Sequence, residues 1–152
     1  MSKANLVVKT FYDAFSRQDG NAMANCYGDN TVFSDPVFPD LHGQDAGNMW
    51  RMLCSRSRDL KITYAIVFEE GDDIKVKWDA HYTFGKTGRP VHNQVTATMH
   101  VADGKIVSHH DYFSFWRWSR QALGASGLIL GWSPLLRNAV RKQAADSLKA
   151  WQ

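Results

Sequence analysis

The residues with the most chemical potential are His109 and Asp111, two positions apart near the end of the segment Lys105 to Trp116, and Asp35, which precedes Pro36. On an extended strand alternate side chains share a face, so an imidazole and a carboxylate two apart stand at about 7 Å on one side. That spacing is long for a direct hydrogen bond. It suits two groups that touch different atoms of one ligand, or that share a water, and such a pair in apolar surroundings can move protons. Asp35 sits where an extended run meets the loop from Pro36 to Pro39. It reads either as the Asp of an Asp-Pro turn or as a carboxylate at a pocket rim, raised in pKa by apolar neighbours and able to act as a general base. A metal site at His109-His110-Asp111 is disfavoured, because neighbours on a strand point to opposite faces and leave one His and one Asp as ligands. There is no glycine-rich phosphate loop, no GxSxG elbow and no HExxH, so nucleotide, serine-hydrolase and zinc-protease readings have no support. Neither a metal nor an organic cofactor is expected.

These groups need a scaffold. Val7, Phe11, Ala14 and Phe15 recur at helical spacing and predict an amphipathic helix over about residues 3–17, ended by Asp19-Gly20. A short second helix carries Met23, Cys26 and Tyr27, and Thr31 to Asp35 reads as extended because the residue before a proline avoids the helical region. Gly43 to about Ser57 reads as a third helix with Met49, Trp50 and Leu53 inward. From residue 60 the period changes from 3.6 to 2, and four strands follow. The second alternates Ile74, Val76, Trp78, Ala80, Tyr82 and Phe84 with polar residues, and the third sets Val91, Asn93, Val95, Ala97, Met99 and Val101 on its apolar row. Asn93 is the one polar residue in that row.

The fourth strand is ambiguous from composition, since Val107, His109, Asp111, Phe113 and Phe115 alternate with Ile106, Ser108, His110, Tyr112 and Ser114. The turn decides. A three-residue loop Ala102-Asp103-Gly104 would set Val101 opposite Lys105 and turn His109, Asp111 and Phe113 inward, whereas a two-residue Asp103-Gly104 turn would bring in Ser108, His110 and Tyr112. The first is preferred, because two Phe fit an inner face. The pocket wall is then expected from Tyr27, Trp50, Trp78, Tyr82, Asn93, Ala97 and Phe113, with simple core packing as the competing reading for each aromatic. Beyond residue 115 a short helix, a glycine-punctuated apolar link from Gly124 to Gly131, and a last helix capped by Ser133-Pro134 form a C-terminal extension. Leu136, Val140, Ala144, Leu148 and Trp151 give that helix an apolar stripe that must cover something.

With 152 residues, 44% hydrophobic and 22% charged, the chain fits a single globular α+β domain over residues 1–115 with the extension at 116–152 packed on it. The net charge of +3 is dispersed, so no nucleic-acid footprint is expected. Cys26 and Cys54 have neither a CxxC nor zinc-finger spacing and read as reduced, buried thiols. No long apolar run marks a leader or a membrane span, so a cytoplasmic protein without a membrane partner is expected.

The order of helix, short helix, Thr31-Val-Phe-Ser-Asp-Pro36, Leu41-His42-Gly43, third helix and a strand meander with Asp103-Gly104-Lys105-Ile106 resembles the nuclear transport factor 2-like superfamily, over about residues 3–115. Within it the chain is similar to the SnoaL-like and ketosteroid isomerase-like branch. The resemblance implies a cone: a strongly bent antiparallel sheet wrapped around N-terminal helices and enclosing a pocket for a small hydrophobic ligand. It implies that Asp35 matches the proton-shuttling aspartate of the isomerases, and that Asp111, with His109 beside it, matches the acid/base aspartate of SnoaL-like cyclases. Ketosteroid isomerase also uses a Tyr and a protonated Asp as oxyanion donors. Those positions fall on Phe11 and Ala97, which donate nothing. The Asp-Arg-Asp set of limonene epoxide hydrolase-like members finds no arginine on the inward rows. Two functions follow as expectations: a cofactor-independent isomerase or aldol-type cyclase acting on a small hydrophobic carbonyl compound, or a non-catalytic ligand-binding or assembly module of the same fold. A homodimer through the outer strand faces, with His92, Gln94, Thr96 and Thr98, is expected in either case.

Overall fold

The computed structural model describes residues 2–152. Its N-terminal helices are α1 (Lys3–Ser16), α2 (Gly20–Asn25) and α3 (Gln44–Arg56). The Ser2 hydroxyl accepts the Asn5 N–H at 3.0 Å and starts α1, which buries Phe11, Ala14 and Phe15 as expected, with Ala4, Val8 and Tyr12 beside them, while Val7 is half-buried. Asp19 caps α2 by accepting the Ala22 N–H. Gly20 lets α2 lie against α3, because a Cβ there would come within 2.6 Å of the Arg51 Cα. The second helix ends before Tyr27, which stands on a strand instead. There Thr31, fully buried, accepts the Gly28 N–H and donates to the Ile106 carbonyl, so extended pairing outcompetes the helical pattern.

The sheet comprises β1 (Tyr27–Ser34), β2 (Leu41–His42), β3 (Lys61–Glu70), β4 (Asp73–Phe84), β5 (Arg89–Ala102) and β6 (Lys105–Tyr112), in the order β2-β1-β6-β5-β4-β3. The last four form an antiparallel meander, and β1 pairs with β6 in parallel. Apolar side chains of the inner face, among them Ile74, Val76, Ala97, Met99 and Ile106, pack on α1 and α3 in one core. The architecture is the expected α+β cone.

The β5–β6 hairpin reaches the expected facing by a different route. Its loop is the two-residue Asp103-Gly104 turn, with φ of 52° and 76° and Ala102 paired with Lys105. Positive φ at both central residues is the turn whose twist suits a hairpin. Such a turn alone would have brought the even row inward. A bulge corrects it: His100 pairs with Ser108 and Val101 with Ile106, leaving Val107 as an extra residue on β6. Ile106 and His109 therefore both face the core, at 0% and 1% exposure.

The extension forms α4 (Phe115–Leu123), α5 (Ala125–Leu130) and α6 (Pro134–Trp151), so the apolar link contains a helix of its own. The α6 stripe packs beside α3, burying Leu148 fully and Leu136, Val140 and Ala144 partly, while Trp151 stays exposed. No helix among the described residues is long and apolar enough to cross a membrane. Cys26 and Cys54 are free and buried.

Candidate active site

Parallel pairing of β1 with β6 sets Phe33 beside His109 and Ser34 beside His110. One residue further the strand gives way to the Asp35 turn, and Asp35 and Asp111 line one cleft. The two carboxylates that stand 76 positions apart in the chain thus become neighbours through strand order alone.

Asp35 makes the turn that sequence alone allowed. Its Oδ1 accepts the Val37 and Phe38 N–H groups at 2.7 and 2.5 Å, and its own N–H donates to the Phe38 carbonyl. Its Oδ2 has no hydrogen-bond partner among the described residues. Burial pushes this carboxyl from 3.8 up to about 7; the Phe38 N–H opposes the rise, the Asp111 charge adds to it, and the Val37 N–H and Arg141 oppose it further. The side chain keeps some solvent contact, and water screens part of the effect. Turn-former and raised carboxylate are the same residue.

Asp111 is held by a buried relay. The Trp50 indole N–H donates to the Tyr27 hydroxyl at 2.8 Å, Tyr27 lies 2.7 Å from His109 Nδ1, and His109 Nε2 lies 2.8 Å from Asp111 Oδ1. An indole can only donate, so the Tyr27 oxygen accepts and its proton points at Nδ1. His109 then carries its proton on Nε2 and donates to Asp111. Trp78 adds a longer N–H contact of 3.4 Å to the same oxygen. Every donor in the chain is oriented toward one carboxylate oxygen. Burial holds the Tyr27 phenol well above its usual pKa, so it stays a donor.

The direct contact between His109 and Asp111 corrects the expectation of two groups about 7 Å apart. Side chains that lean along the strand close the gap, leaving no room for a shared water. His109 is also not open to a ligand: Phe11, Phe33 and Trp50 enclose its ring at centroid distances of 5.4, 5.0 and 6.1 Å. Together with Phe15 and Trp78 these rings fill the centre of the cone. The expected interior pocket is occupied by side chains.

The open space lies at the mouth instead, as a cleft of about 550 Å³ lined by both Asp35 and Asp111. That is a usual size for a small-molecule site. Its apolar wall is Phe113, Phe115, Trp116 and Trp132, and Arg137 and Arg141 enter from α6. Of the wall residues expected from sequence only Phe113 lines this cleft. Tyr27, Trp50 and Trp78 stand behind Asp111 as its hydrogen-bonded support. Ala97, paired across from Asp111, is fully buried packing. Tyr82 accepts the Trp118 indole N–H at 2.8 Å beneath α4, and Asn93 on β5 pairs with Ala80 on β4; neither reaches the cleft.

The arginines were missed because they lie on the extension, where α6 could be placed only by its apolar stripe. Their spacing of four was the available signal, since it sets two guanidinium groups on one helix face. Tyr12 was missed too: it is fully buried on the inward stripe of α1 with a hydroxyl that has no partner among the described residues. Among the described residues no group of three or more His, Cys, Asp or Glu gathers to hold a metal ion.

Similar architecture recurs among solved structures. A protein of ketosteroid isomerase-like fold from Catenulispora acidiphila, crystallised with trimethylamine, superposes with a TM-score of 0.67 at 14% identity, over 76% of this chain and 91% of that one. An epoxide hydrolase of the limonene epoxide hydrolase-like type from M. tuberculosis gives 0.64 at 21% identity, over 84% and 93%. A provisionally named polyketide cyclase from Xanthomonas campestris gives 0.63 at 22% identity, over 78% and 96%. No curated protein matches the chain in sequence. At these identities the likeness establishes the cone fold. Residues 8–109 match the SnoaL-like domain, and with that span covering most of the α1–β6 body, the chain belongs to the SnoaL-like family of the nuclear transport factor 2-like fold.

Proposed function

We propose that the protein is a cofactor-independent proton-transfer enzyme acting on a small hydrophobic carbonyl compound, as an isomerase or aldol-type cyclase. The observation that carries this reading is the pair Asp35 and Asp111 on one cleft, the first raised to about 7 and the second held by a one-directional relay. A carboxyl poised near neutrality is about half ionised at pH 7 and more basic toward carbon than an ordinary carboxylate. Asp35 Oδ2 removes the α-proton, the C–H electron pair becomes the new C=C bond, and the carbonyl electrons move onto oxygen. Arg141, whose Nε is fixed on the Pro36 carbonyl at 2.8 Å, offers its remaining N–H groups to that oxygen. Return of the proton at another carbon completes an isomerisation; in a cyclisation the enolate C=C electrons form the new C–C bond as the first C=O re-forms, and the alkoxide left on the attacked carbonyl takes back the proton held by Asp35. Asp111 acts as the second proton carrier. His109 works through Asp111 and is a positioning residue.

The filled cone interior favours a second reading, a binding or assembly module. A single experiment separates them: solvent-deuterium exchange into a panel of cyclic ketones, followed by NMR. Enzymatic exchange lost in Asp35→Asn and lowered in Asp111→Asn supports catalysis. Absence of exchange, or exchange indifferent to both substitutions, supports the module instead.

A further inference from the structure

Arg137 and Arg141 are one helical turn apart on α6 and both border the cleft. Neither has a carboxylate within salt-bridge distance among the described residues, although three Lys or Arg side chains elsewhere do. Arg141 is partly occupied, through its Nε on Pro36. The Arg137 guanidinium lies over the Phe115 ring, 5.4 Å from its centroid, and makes no side-chain hydrogen bond among the described residues. That stacking leaves the planar guanidinium edge free, the edge that binds an oxyacid with two parallel hydrogen bonds. The surrounding chain reinforces the charge, since residues 112–145 contain no Asp or Glu and carry Arg117, Arg120, Arg137 and Arg141, while Lys142 is paired with Asp146. The outer wall of the cleft is therefore cationic, and its inner end holds the carboxylates. A ligand that suits both ends has a neutral, reactive end facing Asp35 and an anionic end at α6.

We infer that the substrate of this cleft is a carboxylate-bearing aromatic or alicyclic compound, anchored by its carboxylate on Arg137 and by its ring on the exposed Trp116 and Trp132. The inference rests on reading the cleft as the substrate site. A monoanion is specified because Asp111 at the inner end repels a doubly charged group more strongly than a single carboxylate. Arg137 acts in this arrangement as a specificity residue, and the C-terminal extension supplies the recognition that the cone body lacks.

The test uses the full chain and an isosteric probe pair, 2-naphthoate and 2-naphthamide, titrated by calorimetry at pH 6 and at two salt concentrations. The wild type binds the carboxylate at least tenfold more tightly than the amide, and the ratio shrinks as salt screens the charge. Arg137→Gln, on an exposed position and checked for fold by circular dichroism, brings the ratio below about threefold, while Arg137→Lys keeps part of it. Equal affinity for both probes, no binding of either, or a preference untouched by Arg137→Gln overturns the inference. Asp35→Asn separates the two claims: it retains the carboxylate preference while abolishing exchange. A wild type that binds selectively yet exchanges no deuterium removes the catalytic reading and leaves the anion site standing.

Discussion

Asp35→Asn tests the electrostatics of the cleft without needing a substrate. A carboxyl whose pKa rises on folding binds its proton more tightly in the native state than in the unfolded chain. Between 3.8 and about 7 the native state therefore holds more protons, and stability falls as pH rises through that window. A rise of about three pH units corresponds to an upper bound of ~4 kcal/mol, and screening by cleft water reduces it to ~2 to 3 kcal/mol. Asparagine keeps an Oδ1 acceptor for the Val37 and Phe38 N–H groups, so the turn survives the substitution. It removes only the titrating charge. Urea unfolding of both proteins at half-unit steps from pH 4 to pH 8 measures the difference. Near pH 4 the two curves lie close together; at pH 8 the variant is more stable by ~2 kcal/mol or more, which is a Tm difference of roughly 4 to 8 °C for a chain of this size. Parallel pH profiles would show that Asp35 has an ordinary carboxylate pKa and would refute its assignment as a poised base.

Other perturbations probe the relay, the filled interior and the assembly. Tyr27→Phe removes the hydroxyl that joins Trp50 to His109, leaving a buried N–H and a ring nitrogen without partners, and lowers stability by ~1 to 3 kcal/mol in urea unfolding. In the same variant His109 Nδ1 loses its hydrogen-bond donor while Nε2 keeps Asp111, so the Nδ1 NMR signal shifts and the Nε2 signal stays; an unchanged Nδ1 signal would contradict the proton assignment. Phe11→Ala opens a void among Tyr27, Trp50 and His109 and costs ~3 to 5 kcal/mol, whereas a cost under ~1 kcal/mol would mean that the interior is not packed as described. A homodimer through the outer sheet face, with Gln94 and Thr98 exposed on β5, predicts a dimer mass in sedimentation at micromolar protein and a monomer in Thr98→Lys. A monomeric wild type removes that proposal.

How much of this was legible in the chain itself differs between levels. Local patterns were clear where one physical rule acted alone. The period-2 rows of β4 and β5 and the helical stripe of α1 each follow from burying one face, and the landmarks in order pointed to the cone. Tyr27 was assigned to a helix because its side-chain spacing continues the α2 pattern, but its backbone is claimed by β6 through Ile106. The β6 facing was anticipated through a loop that does not occur. A two-residue turn and a bulge at Val107 each shift parity by one, and two such shifts cancel; a sequence pattern registers only their sum.

The candidate site shows the same division. Residue types and the Asp-Pro context by themselves singled out Asp35, His109 and Asp111, because ionisable groups among apolar neighbours need a reason to be there. Tertiary structure alone determined what each became. Parallel pairing of β1 with β6 brought the two carboxylates together, crowding by Phe11 and Trp50 turned His109 from a prospective ligand contact into the support of Asp111, and docking of α6 brought Arg137 and Arg141 to the mouth. Those outcomes depend on contacts between segments dozens of residues apart, whose geometry is set by packing, and packing is a property of the assembled surfaces that no local run of residues encodes.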